Sequence, residues 1–259
     1  MTKNQPDTNT LLEFALDAAW QAGRITLGHF QTELQAERKA DNTPVTIADR
    51  QAEQRLRELI QKYWPDHGII GEEYGQSTSD SPYTWIIDPI DGTKSFVAGV
   101  PLYSNLLALT DGEKTLIGVA NFPALGDTLY AVRGGGCFWN GRRVHVSTVD
   151  KLSEAVVLTS AFNYYGSRIP VWERLVSQSY IQRTWGDAYG YFLVATGRAE
   201  VMLDPAMYVW DAAPFQVIME EAGGTFTDWK GNATIHNYES LATNGLLFEQ
   251  VMDVVREEK

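Results

Sequence analysis

Between residues 68 and 146 the chain reads as short apolar runs, GII, TWIID, SNLLALT, TLIGVANF, TLYAVR and CFWN, divided by turn clusters such as TDGEK and RGGG. Runs this short, rich in β-branched and aromatic residues and separated by tight turns, predict strands paired mostly antiparallel. A sheet of that width needs covering layers. Two precede it. Residues 10–30, TLLEFALDAAWQAGRITLGHF, space their apolar positions by three and four, the pattern of an amphipathic helix. IADRQAEQRLRELIQKYW does the same and stops at Pro65. Between them QTELQAERKADNTPVT is polar and broken by Pro44, which predicts a mobile connector. After the sheet the pattern alternates: AVVLTSA, a helix near 170–180, QRTW, a helix near 187–197, the strand AEVMLD, the helix AAPFQVIMEEAGG, TFTDW and a last helix near 245–257. The expected architecture is a layered α/β fold of two packed subdomains, residues 1–150 and 151–259.

Composition narrows the function. With 259 residues and 44% hydrophobic content, a sizeable core is within reach. A formal net charge of −12 disfavours nucleic acid and anionic membranes as partners, and an anionic substrate would need local positive charge or a metal. One cysteine, Cys137, excludes an internal disulfide. The polar N-terminus lacks a signal-peptide core, and no apolar run nears the roughly 20 residues that span a bilayer. A cytoplasmic protein is expected.

The chemistry is carried by acids placed where apolar runs end. Glu72 and Glu73 follow HGII, Asp88 and Asp91 follow TWII, and Asp211 follows MYVW. A buried strand that ends on carboxylates needs compensation. Pro89 is expected to end the strand pairing, so that a tight Asp-Pro-Ile-Asp turn aims both acids, and the Ile90 carbonyl, at one point. Oxygen ligands of this kind suit a hard cation, Mg²⁺ above all. The four histidines have no paired spacing, which disfavours zinc. The stretch GTKSF reads as a turn into a helix, where backbone N–H groups of Gly92, Thr93 and Lys94 can receive phosphate oxygens. Each acid also has a plain structural role open to it: Asp211 as a helix N-cap, Glu72 and Glu73 as solvated loop residues, Asp49 as half of a capping box with Thr46.

GEE at 71–73, DPIDGT at 88–93, WDAAPFQVIMEEAGG at 210–224 and TPVTIAD at 43–49 together resemble the inositol monophosphatase-like family, in its order and across nearly the whole chain. The resemblance implies an αβαβα sandwich and a phosphatase using two or three Mg²⁺ ions, in which metal-activated water attacks a small phosphate ester in line. It implies Glu72, Asp88, Asp91, Asp211 and the Ile90 carbonyl as metal ligands. Asp49 and Thr93 orient the water in this reading, Glu73 lies beside the metal shell, Lys39 is a mobile-loop lysine, and the assembly is a homodimer.

Within that family, TWGDAYGY at 184–191 resembles the branch that hydrolyses L-histidinol phosphate, a step of histidine biosynthesis. The implied substrate residues are Asp187, Asp204 and Trp185, with Tyr189 and Tyr191 as further aromatic candidates: acids for a cationic group, aromatic faces for an imidazole. The alternative is an inositol 1-phosphatase or a broad monoesterase. A haloacid dehalogenase-type enzyme requires Asp-x-Asp-Gly-Thr, and here Pro89 occupies the first acid's place. A purely structural calcium loop is also disfavoured, because position twelve counted from Asp88 is Gly99 rather than glutamate.

Overall fold

The computed structural model describes residues 7–33, 36–38, 44–112 and 114–256. In chain order its elements are α1 (Thr8–His29), β1 (Glu37–Arg38), β2 (Pro44–Val45), α2 (Ile47–Tyr63), β3 (Gly68–Gly71), β4 (Gly75–Ser77), β5 (Thr84–Asp91), α3 (Thr93–Val97), β6 (Ser104–Thr110), β7 (Thr115–Phe122), β8 (Asp127–Val132), β9 (Gly136–Trp139) and β10 (Arg142–Arg143). The second half holds β11 (Val156–Leu158), α4 (Ile169–Gln178), β12 (Ile181–Arg183), α5 (Asp187–Ala195), β13 (Val201–Asp204), α6 (Val209–Glu221), β14 (Thr225–Thr227), β15 (Ser240–Thr243) and α7 (Phe248–Arg256). The expected connector contains a two-stranded ribbon, β1 on β2. Lys39 lies outside the described residues.

Eight strands form one sheet in the order β10-β9-β8-β7-β6-β5-β3-β4, and five form another in the order β12-β11-β13-β15-β14. Helices α1 and α2 cover one face of the larger sheet, α5 and α6 lie between the sheets, and α4 with α7 cover the far face of the smaller one. This is the expected αβαβα layering. The period of two in the strands produces it. In β5, Trp85 and Ile87 join the cluster under α1 and α2, while Ile86 joins the one around α6. In β13, Met202 faces α5 and α6, and Val201 and Leu203 face the outer helices. Helix α2 buries Ala52, Leu56 and Ile60 on one stripe, each large aliphatic chain contributing about 2 kcal/mol. Close approach is built in at Gly118, where a Cβ would collide with the Pro214 carbonyl of α6.

One local expectation changes, and one structural alternative falls. Pro89 does not end the pairing of β5. Asp88 pairs with Leu106, a bulge follows, and pairing resumes with Asp91 opposite Ser104. Proline is tolerated at the bulge because the ladder needs no N–H there, and its carbonyl instead accepts Asn105 Nδ2 at 2.6 Å. Asp211 is not the N-cap of α6 but sits three residues after the cap residue Tyr208, whose N–H its carboxylate accepts at 2.8 Å. The other surprise is that β3 runs parallel to β5, Gly71 opposite Ile87, in an otherwise antiparallel sheet.

Candidate active site

That parallel pair decides where Glu72 lies. Its N–H donates to the Ile87 carbonyl at 3.2 Å, so the residue after β3 emerges beside the acids at the end of β5. The loop that follows is fixed by Glu53, a buried helix residue that accepts the N–H groups of Glu73 at 2.7 Å and Tyr74 at 3.1 Å. Arg57 Nε balances that charge at 2.8 Å. No motif in the sequence marks Glu53 as a site residue, yet its spacing of four from both Asp49 and Arg57 places all three on one helix face.

The bulge does the converging. Asp88, Asp91 and Asp211 bring carboxylate oxygens within 4.8 Å of one another. Asp88 Oδ1 accepts the Ile90 N–H at 2.9 Å, and Asp91 Oδ2 accepts the Ala188 N–H at 2.7 Å. Burial pushes the Asp88 carboxyl well above the ordinary carboxylate range, and the neighbouring Glu72, Asp211 and Asp91 charges push it further. Asp91 is raised the same way, by burial first and then by Asp187 and Asp211. Asp211 is pushed up to about 7, burial again leading. All-oxygen donors, buried or half-buried and mutually repelling, fit a hard divalent cation.

Around the cluster lies a cavity of about 680 Å³ lined by Glu72, Asp88, Ile90, Asp91, Gly92, Thr93, Lys94, Asp187, Asp204 and Asp211, among others. The Ile90 carbonyl accepts the Thr93 hydroxyl at 3.0 Å, which leaves one lone pair for a ligand. Gly92 precedes α3 with φ +76, a left-handed turn that suits glycine. Among the described residues, Lys94 is the one lysine or arginine in the lining, and its Nζ donates to the Tyr164 hydroxyl at 2.6 Å. Asp49 closes a capping box, its Oδ2 accepting both the Thr46 N–H at 2.7 Å and the Thr46 hydroxyl at 2.6 Å. Its Oδ1 is buried without a hydrogen-bond partner among the described residues, and Glu72 is close enough to help burial raise its carboxyl. Glu73 is not among the lining residues; its charge acts on Arg50.

The substrate candidates separate. Asp187 begins α5 with φ +50, lines the cavity, and donates its N–H to Ser160 Oγ at 2.9 Å. Ser160 Oγ in turn donates to Asp204 Oδ2 at 2.8 Å, so one hydroxyl joins both acids. Asp204 keeps a buried oxygen without a partner among the described residues, and burial pushes its carboxyl up to about 8. Trp185 is outside the lining, 46% exposed, with the Arg183 guanidinium 5.7 Å from its ring centre. Tyr189 stacks on Phe192 at 5.4 Å away from the cavity. Tyr191 reaches the cavity wall but is fully buried against Phe215, and its hydroxyl pairs with Ser240. The remaining rings in the lining are Tyr164, Tyr208, Trp210, Phe215 and Tyr238, of which Trp210 and Phe215 belong to the motif at 210–224.

An inositol monophosphatase family model matches residues 7–259. The chain belongs to the inositol monophosphatase family. It is a phosphoric monoester hydrolase. A histidinol-phosphatase of Chlorobaculum parvum is 44% identical over 236 residues, covering 90% of this chain and 91% of the relative. One from Mycobacterium tuberculosis is 38% identical over 250 residues, covering 93% and 96%. The solved structure of a Thermotoga maritima IMPase superposes with a TM-score of 0.87 at 32% identity, covering 95% of this chain and 96% of that one. No helix among the described residues is long and apolar enough to cross a membrane.

Proposed function

We propose that this phosphatase hydrolyses L-histidinol phosphate, with Mg²⁺ as its metal and two or three ions per site. The observation that carries the chemistry is the Asp88–Asp91–Asp211 cluster, two acids buried and the third half-buried, in a cavity that also holds Lys94. Glu72 and the Ile90 carbonyl complete the ligand set. When bound, the cation supplies positive charge against the phosphoryl oxygens and makes water a better nucleophile at neutral pH.

The chain's own groups do the rest. Lys94 and the backbone N–H groups of Gly92 and Thr93 draw in and orient the phosphate. Asp49, which lies behind the cavity wall with an Oδ1 that has no hydrogen-bond partner among the described residues, and the Thr93 hydroxyl orient a water for attack on the side opposite the alcohol. A new bond forms between that water oxygen and phosphorus as the bond from phosphorus to the alcohol oxygen breaks, and no protein nucleophile is required. Asp187 and Asp204 then face the alcohol part, where a pair of carboxylates suits histidinol's ammonium. The two histidinol-phosphatase relatives support that choice of substrate. A homodimer in the cytoplasm is part of the same proposal, resting on the family resemblance and on the single buried cysteine.

Phosphate release from L-histidinol phosphate and from inositol 1-phosphate, each with Mg²⁺ and with EDTA, tests this. A strong preference for histidinol phosphate that vanishes in EDTA is expected. Preference for the inositol ester would overturn the substrate, and activity surviving EDTA would overturn the metal.

A further inference from the structure

Three of the rings in the cavity lining are exposed; Tyr164 is engaged by Lys94, which leaves two. Tyr208 is 45% exposed and Tyr238 67% exposed. They are nonetheless ordered into a shelf. Tyr208 stacks on Trp210 with ring centres 5.0 Å apart and planes 14° from parallel, and Tyr238 meets Tyr208 edge-on at 5.8 Å and 87°.

Tyr238 also has φ +55, a left-handed backbone conformation that is unfavourable for a bulky L-residue. Its surroundings impose it. The Tyr238 carbonyl accepts the Met207 N–H at 2.9 Å, and the carboxylate of the next residue, Glu239, is pinned by the Trp229 N–H at 3.2 Å and by Arg168 Nη1 at 2.5 Å. Ser240, two residues on, pairs with the buried Tyr191 hydroxyl. The Tyr238 ring packs edge-on against Tyr208 yet stays mostly exposed, so little burial offsets the strain, whereas a ligand-binding role accounts for both the strain and the exposure.

We infer that Tyr208 and Tyr238 form the subsite for the leaving alcohol, and that it takes a flat nitrogen heteroaromatic ring seated in the right angle between them, against the face of one and the edge of the other. This deepens, and rests on, the reading of the enzyme as a histidinol-phosphate phosphatase. The geometry suits such a ring better than a polyol. The exposed aromatic faces reward a planar π-system, and Asp204, at the end of the strand leading into the Tyr208 segment, adds a carboxylate to the same cavity. A polyol would instead ask for several hydrogen-bonding groups, which ring faces do not offer. The aromatic recognition expected from Trp185 and Tyr189 is thereby moved onto the loop before α6 and the loop before β15.

The test compares L-histidinol phosphate with O-phosphoethanolamine, which keeps the phosphate and the ammonium but has no ring, in the full chain with Mg²⁺. Tyr238→Asn and Tyr208→Leu are the variants. Asparagine tolerates the left-handed conformation, so Tyr238→Asn is expected to melt no lower than wild type. In each variant the ratio of kcat/KM for the ringed ester over the ringless one should fall about ten-fold, most of it in KM. An unchanged ratio in both variants overturns the shelf, whether or not the two activities fall together. The substrate reading fails separately, in the wild type alone, if inositol 1-phosphate is preferred to histidinol phosphate.

Discussion

The N–H of Ala188 donates to Asp91 Oδ2 at 2.7 Å, across 97 positions of sequence. One hydrogen bond thus ties the start of α5 to the end of β5. The residues beside it differ in place: Asp91 belongs to the carboxylate cluster, and Asp187 lines the cavity, where the proposed function has it meet the alcohol part of the substrate. Because α5 lies between the two sheets, packed on α6, the carboxylate cluster and the start of α5 rest on the same core. A charge removed from the cluster should therefore be read in turnover and in folding separately.

Asp88→Asn and Asp211→Asn are expected to lower turnover on the order of a thousand-fold at saturating Mg²⁺ while leaving the fold intact. The same changes relieve repulsion among Asp88, Glu72, Asp211 and Asp91, so in EDTA both variants should melt higher than wild type. Steady-state phosphate release and thermal melting in EDTA decide it. Near wild-type turnover in either variant would remove that residue from the ligand set.

The metal-free protein should lose stability as pH rises. Burial lifts Asp211 to about 7 and Asp204 to about 8, far above the unfolded carboxylate value of about 3.9. Between about pH 4 and 8 the folded chain therefore binds more protons than the unfolded one, and stability falls by up to about 1.4 kcal/mol per pH unit for each such group. Above about pH 8 this contribution levels off. Melting in EDTA at pH 5.5 and pH 8 should show the higher temperature at pH 5.5, and Mg²⁺ should raise it more at pH 8, where fewer protons must leave the ligands, Asp211 among them. Asp204→Asn should flatten the slope. A melting temperature that rises from pH 5.5 to 8 without metal would contradict this account.

Much of this site can be read along the chain, because the acids that converge are the ones that end apolar runs: Glu72 after β3, Asp88 and Asp91 at β5, Asp211 before the buried stretch of α6. The unbroken apolar run Trp85, Ile86 and Ile87 likewise announces a strand buried on both faces, and hence a layer on each side. What the linear text withholds are relationships set by pairing and by distant contact. Two short apolar runs, GII and TWII, carry no mark of being parallel neighbours, yet that pairing brings Glu72 to the cluster. A proline in a strand normally reads as its end, and only the Asn105 side chain reaching the Pro89 carbonyl shows how the pairing continues past it. Trp185 and Tyr189 are expected at the substrate from the resemblance that TWGDAYGY carries, but α5 turns Tyr189 onto Phe192 and Phe122, Trp185 stays outside the lining, and the loops carrying Tyr208 and Tyr238 bring rings to the cavity.

Glu53 holds the Glu72 loop through the N–H groups of Glu73 and Tyr74 and is itself paired with Arg57. Glu53→Gln places an amide NH₂ against donors in a buried position and removes the partner charge of Arg57. A loss of about 2–3 kcal/mol in urea unfolding is expected, together with a higher Mg²⁺ concentration at half-maximal activity, since Glu72 is no longer fixed. Unfolding at the wild-type midpoint would show that the loop is held by something else.

Asp187 separates recognition from chemistry. Its backbone is left-handed at φ +50, its N–H is fixed by Ser160, and its carboxyl is raised by burial while the charge of Lys94 opposes that rise. Asparagine accepts the same backbone conformation, so Asp187→Asn removes the charge without disturbing the turn. With histidinol phosphate, KM should rise about ten-fold, as expected for loss of a charge-assisted hydrogen bond to the ammonium, while kcat changes less than about three-fold. Inositol 1-phosphate, which has no ammonium, should show a smaller change in KM. If both esters keep their wild-type KM, Asp187 serves only to start α5. If instead kcat falls with KM unchanged, its place is with the carboxylate cluster beside Asp91 rather than with the alcohol.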